Sequence, residues 1–210
     1  MRVAVATSVS ANIAELAAIT VPNKLEYCLR HGYSLIADNR PYAEAVKSLS
    51  DTLLSLLADY DLVWGLDSDA VITNMTVPIH TLDCLGPGMT VCEEGIVDWN
   101  RINCGSMVWK SGCRSRYLLE RLREAEDEWM TYPCQQQTWL GGVAESAGDL
   151  VSVAPLRAFN STAWTHPGGG LGKPGSHWQH GDLVYHPCGV YPHQERILSV
   201  LHAIENGVIR

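Results

Sequence analysis

The chain of 210 residues has one phenylalanine, no C-x-x-C pair, no cluster of basic residues and no internal repeat. Each absence closes off a class of protein. Without basic patches, and with a formal net charge of −8, the chain is not built to neutralise phosphates along a nucleic acid. Its seven cysteines, at 28, 84, 92, 104, 113, 134 and 188, are odd in number and irregularly placed. That usage fits a reducing, cytoplasmic compartment rather than a disulfide framework. No apolar run approaches the roughly 20 residues that span a bilayer. The opening "MRVAVATSVSA" breaks its apolar stretch at Thr7 and Ser8, which suits a first strand better than a signal peptide. An acidic chain that handles an anionic substrate must do so through a metal ion or a few local cations.

What is present is a globular composition, 46% hydrophobic and 18% charged, at a length suited to one domain with a full core. Residues 2–6 read as a strand, and "SANIAELAAI" opens a helical stretch. Pro22 suits the first position of a further helix, "PNKLEYCLRHG", closed by Gly32. Residues 33–37 read as a second strand, 42–60 as a helix from its apolar spacing, and 61–66 as a third strand. Strands alternating with helices in this way predict an α/β fold with a parallel sheet.

The second half is less regular. "MTVCEE", "CGSMVWK" and "DLVYH" read as strands, and "RSRYLLERLREAEDEWM" as an exposed amphipathic helix. "YPCQQQTWLGGV" reads as a short helix entered at Pro133, and "PHQERILSVLHAIENG" as a closing helix. The glycine-rich stretch 165–181 cannot be regular structure and is a candidate lid, since long loops in compact domains are usually functional or disordered. No linker is evident, so a single domain over 1–210 is expected, with a nucleotide-binding half to about residue 75 and a sugar and acceptor half beyond it.

Ligands of such sheets bind past the carboxyl ends of the strands. Thr7-Ser8, Asp38-Asn39-Arg40 and Asp67-Ser68-Asp69 all fall there. Two aspartates one residue apart after an apolar strand admit three readings. They can be turn and cap residues. They can be the nucleophile and general acid of a phosphohydrolase of the haloacid-dehalogenase type, although the further acidic pair that chemistry needs is absent downstream. Or they can hold a divalent metal that grips a diphosphate. A zinc site at His177, His180, His186 and Cys188 is a further option, but its spacing is irregular.

The third reading gains from its company. "PNKLEYCLRHGYSLI", the Lys47 helix, "WGLDSDAVITN", "NCGSMVWKSG", "QQTWL", "FNSTAW" and "GDLVYHPCG" occur in that order. Together, over nearly all of residues 2–190, they resemble glycosyltransferase family 34, the fungal galactosyl- and mannosyltransferases and plant xyloglucan xylosyltransferases. The resemblance implies a GT-A fold, Rossmann-like with a mixed, mostly parallel sheet, in a small soluble viral or microbial form. It implies transfer of a hexose or pentose from a nucleotide-sugar, a UDP-sugar, to a glycan hydroxyl, with retention and with Mn²⁺ or Mg²⁺.

Carried over by residue, the resemblance makes Asp67, Asp69 and His186 the metal ligands. Thr7, Ser8, Asp38 and Arg40 would flank base and ribose, Lys47 would face the donor, and Ser68 lies within the metal turn. Asn103 and Gly105 would line the sugar pocket, where a glycine lets the backbone come close to the ligand. Gln136 and Gln137 stand where the family has Asp-Gln and are the candidate catalytic residues, Gln137 at the sugar near its anomeric carbon and Gln136 at a ring hydroxyl, and Gln136 is a departure that bears on sugar preference. A second departure follows His186: Gly189 and its neighbours occupy the place of a diphosphate-clasping lysine, for which Lys173 or His193 would substitute. Trp99, Trp164 and Trp178 are candidate sugar-stacking surfaces. No obvious general base serves the acceptor unless Asp149 or Asp182 faces it. The rival from another class is a nucleotide-sugar or glycan-binding module without turnover.

Overall fold

The computed structural model describes residues 1–96, 100–162, 173, 175–190 and 193–205. Strand β1 (Val3–Ser8) buries Val3, Ala4 and Val5 completely or nearly so, as a strand does when both faces of its sheet are covered. Helix α1 (Ala14–His31) follows and ends at Gly32, whose φ of 69° supplies the left-handed cap. Strand β2 (Ser34–Asp38), helices α2 (Tyr42–Lys47) and α3 (Leu49–Asp59), and strand β3 (Leu62–Leu66) complete the first half.

Beyond the Asp67–Asp69 turn come β4 (Val71–Ile72), β5 (Met89–Glu93) and β6 (Ile102–Lys110). Helices α4 (Cys113–Glu124), α5 (Glu126–Trp129) and α6 (Gln135–Ser146) lead to β7 (Val151–Ala154), β8 (Ser161–Thr162), β9 (Val184–His186) and α7 (His193–Glu205). The main sheet has the order β2-β1-β3-β6-β5-β7, and β6 runs antiparallel to both its neighbours while the other pairings are parallel. It is the mixed, mostly parallel sheet expected. Of a second sheet, β4-β9-β8, only β9 falls in a stretch read as a strand, "DLVYH"; β4 and β8, of two residues each, are too short to leave a period.

Side chains alternate across the main sheet, as strand geometry requires. On one face Val63, Met107 and Trp109 pack with Leu53 of α3, Leu118 of α4 and Leu140 of α6. On the other, Leu62, Trp64 and Val108 pack with Tyr27 and Cys28 of α1.

Several expected boundaries shift. Pro22 lies inside α1 rather than starting a new helix. It and Ala18, whose carbonyl loses a donor, both face solvent, so water can replace the lost bond. The helix expected over 42–60 breaks at Ser48, the one expected over 114–130 breaks at Ala125, and α6 starts at Gln135. Most of the 165–181 stretch lies outside the described residues, as do Trp99, Trp164 and the His193 side chain. Among the described residues no helix is long and apolar enough to cross a membrane.

Candidate functional site

The Asp67–Asp69 turn ends β3 and is anchored from three sides. The Asp67 N–H donates to the Gly105 carbonyl of β6 at 2.8 Å, and the Ser68 hydroxyl donates to the Ser8 carbonyl at the end of β1. The third anchor is one face of α1, made by residues three and four apart. Thr20 Oγ1 donates to the Ser68 carbonyl at 2.5 Å, and Lys24 Nζ to the Ser68 and Ala70 carbonyls at 3.2 and 2.8 Å. Asn23 clasps both backbone groups of Ile72 at 2.8 Å, and Tyr27 Oη donates to the Val77 carbonyl at 2.8 Å. Lys24 is wholly buried, and burial pulls its ammonium down to about 8 against the opposing pull of Asp69 and Asp67.

The small sheet delivers the third residue of a candidate metal site. Val71 of β4 pairs with Tyr185 of β9 in an antiparallel register, so Asp69, just before β4, meets His186 at the end of β9. His186 Nε2 lies 3.2 Å from Asp69 Oδ1 and 3.6 Å from Asp67 Oδ2. One ligand atom from each of the three residues lies within 4.8 Å of the others. Asp69 and His186 are buried, whereas the Asp67 side chain is 60% exposed and opens the group to a cleft.

A chain of hydrogen bonds fixes which nitrogen His186 presents. The Glu94 carboxylate accepts from the Ile96 N–H at 2.7 Å, Asn103 Nδ2 at 3.2 Å and Gln137 Nε2 at 3.3 Å. With its amide nitrogen committed there, Asn103 turns Oδ1 to the Gly105 N–H at 3.0 Å and Asn160 Nδ2 at 2.9 Å. Asn160 Oδ1 then faces His186 Nδ1 at 2.9 Å. Nδ1 therefore carries a proton, and Nε2 is the nitrogen aimed at the two aspartates.

The electrostatics are those of a cation site. Burial alone would raise Asp69, but His186, Arg196 and Lys24 overcome it and bring the carboxyl down to about 2. Burial likewise opposes charge on His186, yet its neighbours Cys188 and Asp69 raise it well above its ordinary range. Two carboxylates and an imidazole with Nε2 aimed between them form a donor set suited to Mn²⁺ or Mg²⁺, and the residues present fit such an ion. Among the described residues the only group assembled for a metal is this one, and it leaves out His177, His180 and Cys188, so the zinc alternative finds no support.

A cleft of about 800 Å³ opens over the turn. Thr7, Ser8, Asp38, Asp67, Ser68, Asp69, Gly105, Gln136 and Gln137 are among the residues that line it. The hydroxyls of Thr7 and Ser8 and the Gln136 Oε1 are buried without a hydrogen-bond partner among the described residues. Asp38 is held by Arg40, which also reaches Thr52 at 2.7 Å, and this hydrogen-bonded pair keeps the Asp38 carboxyl below the usual range. Gln137 has both amide ends engaged, with Oε1 accepting from the Cys104 N–H at 2.9 Å and Nε2 donating to Glu94.

Other expected residues fall elsewhere. Lys47 is exposed at the end of α2 and does not line the cleft. Asn103 sits behind the wall in the chain that leads to His186. What approaches Gly105 is the His186 ring: a Cβ there would collide with it. Lys173 donates its backbone N–H to the Gly95 carbonyl at 2.5 Å, and Gly189 makes a turn with φ 76° beside Ile96. Neither is a cleft residue. Asp182 is tied to Arg157 and Ser161, and Asp149 is exposed beside Arg114, so both are engaged away from the cleft. Sequence reasoning missed Lys24, Glu94 and Arg196. For Lys24 a signal existed in the helical spacing of Thr20, Asn23, Lys24 and Tyr27.

The architecture is the GT-A glycosyltransferase fold. A glycosyltransferase involved in the glycosylation of the major capsid of PBCV-1 superposes with a TM-score of 0.73 at 18% identity, covering 96% of this chain and 100% of that one. The galactosyltransferase LgtC, solved with donor and acceptor sugar analogs, gives 0.53 at 13% identity over 95% of each chain. Mouse xyloside xylosyltransferase 1 in its apo form gives 0.54 at 10% identity, covering 91% of this chain and 100% of that one. No family model and no curated protein sequence matches the chain.

Proposed function

We propose that the protein transfers a sugar from a nucleotide-sugar, a UDP-sugar, to a glycan hydroxyl, with Mn²⁺ or Mg²⁺ held by Asp67, Asp69 and His186. The observation that carries this reading is the convergence of those three side chains, from the end of β3 and from β9, with Asp67 and Asp69 lining an open cleft in a GT-A fold. When bound, the metal ion neutralises the diphosphate as it departs from the sugar.

The chain's own residues divide the rest of the work. Thr7 and Ser8 offer their buried, unpartnered hydroxyls to base and ribose, and Asp38 serves the same end of the cleft in an orientation set by Arg40. Gln136 turns an uncommitted amide oxygen to a sugar hydroxyl. Gln137 braces α6 against the Cys104 backbone and so shapes the sugar end of the cleft. The ordered motifs resemble family 34, which supports retention of anomeric configuration. Front-face transfer, with the departing diphosphate oxygen taking the acceptor's proton, accords with the engagement of Asp149 and Asp182 elsewhere. A cytoplasmic setting accords with seven free cysteines.

Incubation with Mn²⁺ and a panel of nucleotide-sugars, followed by assay for released nucleoside diphosphate, tests the reading. Release from a UDP-sugar that EDTA stops is the expected result. Tight UDP binding with no release from any donor, in the presence of glycan acceptors, would instead identify a binding module.

A further inference from the structure

Asp69 has a second cationic neighbour that the metal-site reading leaves unexplained. While His186 Nε2 faces Oδ1, Arg196 Nη1 lies 3.1 Å from Oδ2. Arg196 stands in the first turn of α7, with its Nε donating to the Val190 carbonyl at 2.9 Å. Its side chain is 22% exposed and lines the cleft. Among the described residues that line the cleft it is the one basic side chain, set against Asp38, Asp67 and Asp69. A guanidinium is permanently charged and only donates, so it cannot join a metal's ligands. It does neutralise the carboxylate that a metal would take.

We infer that Arg196 is an exchangeable counter-ion: it pairs with Asp69 while no metal is bound and transfers to the diphosphate of the nucleotide once a divalent ion occupies the site. This rests on the proposed metal–diphosphate reading of the cleft. Two cations on one carboxylate repel each other in a partly desolvated site. The guanidinium is the cation that can leave, since it gives up one ion pair at Nη1 and can keep its Nε bond to Val190, whereas the ion would be held by three side chains. Its planar fork matches phosphate oxygens, and a diphosphate gripped by the metal would lie within the cleft that Arg196 lines. The consequence is a coupling. Metal alone must expel the guanidinium from Asp69, whereas metal and nucleoside diphosphate together offer it phosphate oxygens in exchange. By linkage each ligand then tightens the other.

The test is a pair of titrations on the intact protein by calorimetry, Mn²⁺ alone and UDP in saturating Mn²⁺, for wild type, Arg196→Gln and Arg196→Lys. Arg196→Gln should move the two affinities in opposite directions, Mn²⁺ alone binding several-fold tighter and UDP roughly tenfold or more weaker. Arg196→Lys keeps the charge without the fork. It should leave Mn²⁺ affinity near wild type and weaken UDP less, and it carries the test if the glutamine variant does not fold. Affinities that fall together mark a structural residue and overturn the inference, as do affinities that do not change. A wild-type protein that binds no Mn²⁺ overturns the proposed function itself, and the inference with it.

Discussion

The His186 ring occupies the space that a side chain at position 105 would need: a Cβ built on Gly105 would collide with Cε1 and lie 2.6 Å from Nδ1. The glycine is thus required by the His186 ring, across the gap between the main sheet and the small one. Gly105→Ala should displace the ring while leaving β6 intact, because Gly105, although it lies in the bulge that β6 makes against β5 between Asn103 and Met107, is not in the left-handed region. Displaced or misoriented ligands typically cost about ten- to a hundredfold in metal affinity. Mn²⁺ titration followed by electron paramagnetic resonance should show that loss with an unchanged circular dichroism spectrum.

The chain from Glu94 through Asn103 and Asn160 sets the His186 tautomer. Asn160→Ala should therefore weaken Mn²⁺ binding by roughly tenfold or more, although Asn160 is not itself one of the three grouped ligands. Glu94→Gln, which offers a donor where Asn103 also donates, should act in the same direction from further away. Unchanged Mn²⁺ affinity in both variants would mean that the ring is oriented by packing alone.

The raised pKa of His186 has a defined sign. In the metal-free protein its stabilising contribution is whole below the ordinary value of 6.5 and is lost as pH rises through the raised one. A bound metal needs Nε2 bare, so metal binding must release that proton. Apparent Mn²⁺ affinity should climb as pH rises toward the raised value, by at most tenfold per unit, and level off above it. Calorimetry in buffers of different ionisation enthalpy should count about one proton released per ion. No release would show that the ring is already neutral.

Gln136 presents a buried acceptor with no partner among the described residues, and an acceptor in that state costs about 1–3 kcal/mol unless a ligand supplies a donor. Gln136→Ala should lower kcat/KM for the preferred donor by roughly tenfold and alter the ranking of sugars, leaving UDP affinity unchanged. Gln137→Ala, which frees the Cys104 N–H, should instead disturb the cleft wall and lower thermal stability. A Gln136 variant with unaltered donor ranking would place the sugar elsewhere.

How much of this was legible in advance follows from the range of each interaction. Helix and strand periodicity exposed β1 to β3 and the aspartates at the end of β3, because those signals are local. Gly32 as a helix stop was equally local. Pro22 misled, since the contacts that hold α1 together past it are tertiary bonds from Thr20, Asn23 and Lys24. The union of Asp69 with His186 came from motif order, not from spacing. The short sheet that joins them, with two residues of β4 paired to β9, has no sequence signature of its own. Glu94 stayed unassigned because nothing nearby in the chain reveals that it is buried, whereas Lys24 carried a signal in its helical spacing with Thr20, Asn23 and Tyr27 that went unread.

The central claim is that Asp67, Asp69 and His186 hold a divalent ion that in turn holds a nucleoside diphosphate. UDP affinity measured with Mn²⁺, with EDTA, and in Asp69→Ala tests it most directly. The account predicts binding that requires Mn²⁺ and falls by at least roughly tenfold in Asp69→Ala, whose turn keeps its anchors at Ser8, Gly105 and α1. UDP affinity that is the same in all three measurements would contradict it.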